Sequence, residues 1–246
     1  MKTKVIALVV VIGIIVIAIF GASQYQKNKN RGEFAKRIIG LGSDIQPVSL
    51  EELKTSIATY EKRIEKHVED AAKTGSYWKI LATRLQDRGL HGEALEALQH
   101  AIYYTPEDPF LHYHTGISAG IMAKSIHLFP GVETIERDSY FYLAEEAFLR
   151  AIELDSRYLK PRYSIGVLYT FELDRPGDAI PHLEHYLTIS RNDVDTMFVL
   201  ARAFFMLRRY QEAVNLYDRI INITNDEQKK IDAQENRQVI MGQMYG

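Results

Sequence analysis

Residues 75–108 read GSYWKILATRLQDRGLHGEALEALQHAIYYTPED, and the order of large and small apolar residues in this stretch decides the fold. Trp78, Leu81, Ala82 and Leu85 recur at spacings of three and four, the period of one helical face. After Gly89 the spacing resumes with Ala94, Leu98 and Ala101, and Pro106 closes the unit. Counted from Gly75, these residues stand at positions 4, 7, 8, 11, 15, 20, 24, 27 and 32 of a 34-residue unit. The unit predicts two antiparallel helices joined by a turn.

The same register returns three times downstream. A second copy over 109–158 has Gly116 and Ala119, then Ala144, Phe148 and Ala151 beyond an insertion at 124–139. A third over 159–193 supplies Ile165, Gly166, Tyr169, Ala179, Leu183 and Tyr186, the last a large residue where a small one is expected. The fourth, over 194–227, gives Leu200, Ala201, Phe204, Ala213, Tyr217 and Ile220. Alternation of small and large residues lets antiparallel helices approach closely, and a period of this length means stacked helical hairpins.

On these positions the chain resembles the tetratricopeptide-repeat family, over about three fifths of its length. The resemblance is specific in the first copy and good in the third and fourth, and the insertion interrupts it in the second. It implies an all-α solenoid of about four helix-turn-helix repeats whose first helices line a concave groove. At repeat positions 2, 5, 9 and 12 that groove would hold Phe110, Tyr113, Ile117 and Gly120, then Lys160, Tyr163, Val167 and Thr170, then Asp195, Phe198, Arg202 and Phe205. The first copy offers polar Ser76, Lys79, Thr83 and Gln86 instead. Concave, mostly apolar surfaces with a few polar groups are where peptide segments and ligands bind. The family's clamp for a terminal carboxylate is matched at Lys79 and Lys160 only, because Thr83, His114 and Ser164 occupy its two asparagine positions and its arginine position. Without those groups most of the directed hydrogen bonds to a carboxylate are missing.

Outside the repeats, Val5 to Ala22 carry no charge over eighteen residues. As a helix this run is roughly 27 Å long, close to a bilayer core. Residues 1–22 are expected to be a transmembrane anchor, with a cleaved signal peptide as the alternative, since Lys2 and Lys4 precede the run. Lys27, Lys29, Arg31, Lys36 and Arg37 after it favour a cytoplasmic repeat domain. The short basic start followed by an apolar run has the form of an export signal-anchor, and on that ground the repeats are expected outside, in a periplasm, with the chain in the inner membrane. Residues 23–48 read as a juxtamembrane tether. Residues 49–74 read as an amphipathic helix ending near Gly75, with a Ser49/Glu52 capping box and an apolar stripe of Leu50, Leu53, Ile57, Tyr60, Ile64 and Val68. Its expected role is to cap the first repeat, and a coiled-coil dimer seam is the alternative. Residues 228–246 read as a mostly polar solvating helix with Ile231, Val239, Ile240 and Met244 as its apolar residues.

The insertion carries Ile126, Leu128, Phe129, Val132 and Ile135, too apolar for a disordered loop, and is a second candidate for partner contact. With 30 Lys+Arg against 32 Asp+Glu, no global attraction to nucleic acid is indicated. The absence of cysteine excludes disulfides, thiolate metal sites and cysteine nucleophiles. No P-loop or HExxH motif is present. His182 and His185 beside Glu184, and His112 and His114 around Tyr113, are spacings that eight histidines produce by chance in helices, so no metal or cofactor is assigned. The expectation is a membrane-anchored adaptor that holds protein partners in an envelope assembly. In layout it resembles the anchored repeat proteins of flagellar-motor collars. An export-associated chaperone-like factor and a lipid- or glycan-binding envelope module are the alternatives.

Overall fold

The computed structural model describes residues 49–126 and 134–245. The expected anchor, the tether, and Leu128, Phe129 and Val132 of the insertion lie outside them. Among the described residues, no helix is long and apolar enough to cross a membrane. The chain divides into two compact units, residues 1–65 and 66–246.

The first helix, α1 (Leu50–Asp87), opens on the capping box: the Ser49 N–H donates to Glu52 Oε2 at 3.1 Å and the Glu52 N–H to Ser49 Oγ at 3.2 Å. It does not end near Gly75. It runs unbroken for 38 residues and becomes the first helix of repeat one. Gly75 marks a close crossing rather than a stop, since a Cβ there would lie 2.7 Å from Tyr104 Cβ. Leu50, Leu53, Ile57, Ile64 and Val68, the face expected to cap the first repeat, are exposed.

From there helices alternate in hairpins: α2 (His91–Tyr104), α3 (Pro109–Ile126), α4 (Thr134–Leu154), α5 (Leu159–Phe171), α6 (Pro176–Ile189), α7 (Val194–Met206), α8 (Tyr210–Ile223) and α9 (Glu227–Tyr245). Aspartates mark the repeat boundaries. Carboxylates of Asp108, Asp193 and Asp226 accept from the N–H groups of Phe110, Thr196 and Gln228 at 2.8–2.9 Å, satisfying donors that a helix start leaves open, and that of Asp155 accepts from the Arg157 N–H at 2.9 Å in the turn before α5.

Each hairpin closes where its template residues are smallest. Ala94, Ala144, Ala179 and Ala213, one per repeat at position 20, are fully buried. At position 8, a Cβ on Gly116 would lie 2.6 Å from Phe148 Cδ1, and one on Gly166 2.6 Å from Leu183 Cγ, so the large residue of the second helix sits on the bare backbone of the first. The turns are left-handed: Gly89 (φ 74°), Asp174 (φ 50°) and Arg208 (φ 59°) let the N–H groups of Leu90, Arg175 and Arg209 reach back to the carbonyls of Leu85, Tyr169 and Phe204 at 2.9, 2.8 and 2.9 Å. The extra residue of repeat three lies in its turn, which holds 172–175 where repeat four holds 207–209.

The longer insertion goes mostly into helix. α3 has 18 residues and α4 has 21, against 13 and 14 for the corresponding α7 and α8, so Ile126 ends α3 and Ile135 lies in the first turn of α4. Ile126 is half-buried. The expected solvating helix α9 is less detached than its composition suggests, because Ala233 and Ile240 are buried in the main core while Ile231 and Val239 are exposed. That core runs from α3 to α9, and a smaller one joins Ala82, Ala97, Leu98, Ala101 and Leu111.

Candidate functional site: the face formed by the first helices

The 34-residue period brings matching faces of α3, α5, α7 and α9 onto one side of the stack. Tyr113, Ile117, Tyr163, Val167, Phe198 and Phe205 are half-buried there, each packed on the main core, and Phe110 packs on the smaller one. Lys160, Asp195 and Arg202 are exposed among them. The aromatic rings are therefore not free in solvent, as a groove floor read from position numbers alone suggests. Phe110 lies under Lys79 Nζ at 4.2 Å and against the His114 ring at 4.0 Å, while Tyr113 meets Tyr158 at 5.3 Å and Phe148 at 6.1 Å. Phe198 stands edge-on to Tyr217 at 5.8 Å, and the Arg202 guanidinium covers Phe205 at 5.3 Å. Thr170, expected in the groove, is buried with its hydroxyl donating to the Gly166 carbonyl at 2.7 Å.

Two cavities open on this face. One, of about 420 Å³, is lined by Tyr163 of α5, Asp195, Phe198 and Val199 of α7, and Lys229, Asp232, Glu235 and Asn236 of α9. Its aromatic floor carries a rim of three carboxylates against one ammonium, and Lys229 Nζ pairs with Asp195 at 2.6 Å. The other, of about 200 Å³, is almost wholly apolar; Ile117, Gly120, Val167 and Phe148 form its walls, and Lys124 bridges it to Glu172 at 2.6 Å. Lys229, Asp232 and Asn236 were not read from the sequence as site residues. The signal was available: each lies 34 residues after Asp195, Phe198 and Arg202 respectively, so α9 continues the register although its core positions have decayed.

At the other end of the face a polar network replaces the cavities. Gln86 Nε2 donates to the His114 carbonyl at 2.9 Å and to Ser118 Oγ at 2.7 Å, and His114 Nδ1–H donates to Gln86 Oε1 at 2.6 Å. Burial, reinforced by Lys160 and Lys79, pushes the His114 pKa below its ordinary value. His114 thus ties repeat two to Gln86 of repeat one, which engages its Nδ1–H. Lys79, one of the two matched clamp positions, is paired with Asp108 at 2.7 Å. Of the histidines with metal-like spacing, His112 Nε2–H donates to the Pro106 carbonyl at 2.8 Å, and burial followed by Arg162 lowers the pKa of His182. No group of three or more histidine and carboxylate residues is placed to hold a metal ion among the described residues.

Comparison with known proteins agrees on the fold. The sequence model of the tetratricopeptide repeat family matches residues 171–233. A TPR repeat-containing protein of Borreliella burgdorferi is 21% identical over 193 residues, 78% of this chain and 80% of the relative. Among solved structures, YrrB, described as a TPR protein with an unusual peptide-binding site, superposes with a TM-score of 0.58 at 16% identity, covering 73% of this chain and 82% of that one. MamA from Desulfovibrio magneticus RS-1, from residue 41 to its end, gives 0.54 at 15% identity over 69% and 94%. The architecture is an all-α tetratricopeptide-repeat solenoid.

Proposed function

We propose that this tetratricopeptide-repeat solenoid is a non-enzymatic adaptor that holds a segment of a protein partner against the first-helix face, between Tyr163, Phe198 and the acidic edge of α9. The observation that carries this reading is the 420 Å³ cavity, which joins an aromatic floor to the carboxylates of Asp195, Asp232 and Glu235. Aromatic surface supplies affinity at low entropic cost, and a rim of one charge sign selects the partner. The rim here favours a segment with basic side chains beside an apolar one. The smaller cavity between Ile117, Gly120 and Val167 accepts a second apolar side chain along the same face. YrrB is described by its peptide-binding site, which supports a peptide as the ligand class.

The adaptor works at a membrane in this reading. The uncharged run Val5 to Ala22 supports a single inner-membrane span, and the short basic start supports a periplasmic repeat domain. The layout, one anchor and one repeat domain, supports a role in an envelope assembly of the flagellar-collar kind. Partner recovery by crosslinking pull-down from the native membrane tests the site, with the denaturation midpoint measured for each variant. Tyr163→Ala and Phe198→Ala are expected to lose the partner by about 2 kcal/mol or more each, as aromatic anchors do. Because both rings also pack on the core, a drop in midpoint accompanies that loss, so Asp232→Lys, at the cavity rim, is the decisive companion. It is expected to keep the midpoint and lose the partner, and retention of the partner by all three variants contradicts the reading.

A further inference from the structure

Two cations of the chain show how this fold holds a guanidinium. Arg175 lies over the Tyr169 ring at 4.6 Å while its Nη1 donates to Glu145 at 2.9 Å and its Nε to Asp178 at 2.6 Å. Arg209 lies over the Phe204 ring at 4.4 Å, with Nε and Nη2 both donating to Glu212. Lysine is used differently: Lys79, over Phe110, meets the single carboxylate of Asp108. A forked, weakly hydrated guanidinium spans two acceptor oxygens and rests on a ring, whereas an ammonium is a strongly hydrated point charge. The cavity between α5, α7 and α9 holds the same set of groups without the arginine. Lys229 takes Asp195 at 2.6 Å, so the chain itself supplies the ammonium of the site. Asp232 and Glu235, three residues apart on α9, are in no ion pair among the described residues, and the Asp232 carboxylate accepts from the neutral amide of Gln228 at 2.8 Å.

We infer that this cavity receives an arginine side chain of the partner segment, its guanidinium laid on Tyr163 and Phe198 and forked between Asp232 and Glu235. The inference rests on the peptide reading of the first-helix face and narrows its ligand from any basic segment to an arginine-bearing one. The rings of Tyr163 and Phe198 are half-buried, and laying a planar, weakly hydrated cation on them costs less desolvation than burying an ammonium there. A spacing of three on one helix sets the two carboxylates on the same face, which suits a donor with several N–H groups in a fixed fork. Lys229 repels a second compact cation from Asp195 and leaves the α9 side of the rim as the place where positive charge is gained. The partner's arginine thus completes at this cavity the arrangement that Arg175 and Arg209 complete within the chain.

Panning a phage-displayed library of random peptides against the full-length chain in mild detergent tests this without knowledge of the native partner. Recovered peptides are expected to share an arginine beside an apolar residue. Titration calorimetry then compares one such peptide with its counterpart carrying lysine in place of the arginine. Lysine is expected to weaken binding by at least about tenfold, the loss that goes with one charge-assisted hydrogen bond. Asp232→Asn with Glu235→Gln keeps side-chain shape and helical circular dichroism and is expected to bring the two peptides to parity. The arginine assignment is overturned, and the peptide reading left standing, by a preference that survives this double substitution. The same holds for peptides that accept lysine equally yet no longer bind folded Tyr163→Ala or Phe198→Ala. Binders indifferent to Tyr163→Ala, Phe198→Ala and the double substitution, or a library that yields none, overturn both.

Discussion

Repeats one and four are built on the same template and are buried very differently. Repeat one keeps nearly every signature residue, yet Leu81 at position 7 is 44% exposed and Trp78 is half-buried against the His100 ring at 4.3 Å. Repeat four has a looser signature, and Met197, Leu200, Ala201, Phe204, Ala213, Tyr217 and Ile220 are all buried. A repeat sequence thus encodes how its two helices cross, while burial of its outer positions depends on having a repeat on each side. Among the described residues repeat one has no repeat before it, whereas Ile165 and Leu200, at position 7 of repeats three and four, are buried. The two cores follow the same division: five buried residues hold repeat one to repeat two, whereas the rest of the stack shares one continuous cluster through α9.

The largest test of this contrast is one substitution made at equivalent places. Leu200→Ala removes a 3% exposed side chain and is expected to cost about 2–5 kcal/mol. Leu81→Ala should cost no more than about 1 kcal/mol. Denaturant titration of the two variants checks it, and equal losses would break the link between position in the stack and burial.

A second test sharpens the template itself. Gly116→Ala drives a methyl group into the Phe148 ring and is expected to destabilise by about 1–3 kcal/mol. Gly120→Ala, one turn further along α3, meets nothing within 4 Å and should gain about 0.5–1 kcal/mol from helix propensity. Opposite signs for two like substitutions on one helix are the mark of the small-against-large crossing.

The smallest expected effect is on pH dependence, and it divides the chain differently. His114 joins repeats one and two, His182 lies within repeat three, and burial holds the pKa of each below 6.5. Between that lowered value and 6.5 the unfolded chain carries protons that the folded chain lacks. Stability is therefore complete above about pH 6.5 and falls as pH drops through the window. Melting temperature should decline from pH 7.5 to 5.5, and His114→Gln with His182→Gln should flatten the decline.

How far the sequence could be read follows from the kind of information each feature uses. The hairpins were legible because Ala94, Ala144, Ala179 and Ala213 are local facts about helix crossing, and all four are buried where the period places them. The end of the first helix was misread because a glycine within a helix has two causes, a stop or a close approach. Only the position of Tyr104 distinguishes them at Gly75. The apolar character of the insertion was legible, but its share in lengthening α3 and α4 was not, because its length was counted apart from the helices on either side of it. The first-helix face was legible in outline, from Phe110 to Phe205, since position numbers give direction. Depth was not legible: whether Tyr163 or Phe198 faces water depends on neighbours in other repeats, and both proved to rest on the core. The rim residues Lys229, Asp232 and Asn236 were missed because α9 keeps the register of the repeat without its signature.

Site-specific photo-crosslinking in the native host tests the central claim most directly, that the first-helix face between α5, α7 and α9 holds the partner. A photoreactive residue at Arg202, exposed on α7, is compared with one at Arg150, exposed on α4 among the second helices. A partner adduct at Arg202 with none at Arg150 is the predicted result. An adduct at Arg150 with none at Arg202 would contradict the account and move the binding surface to the opposite helices of the solenoid.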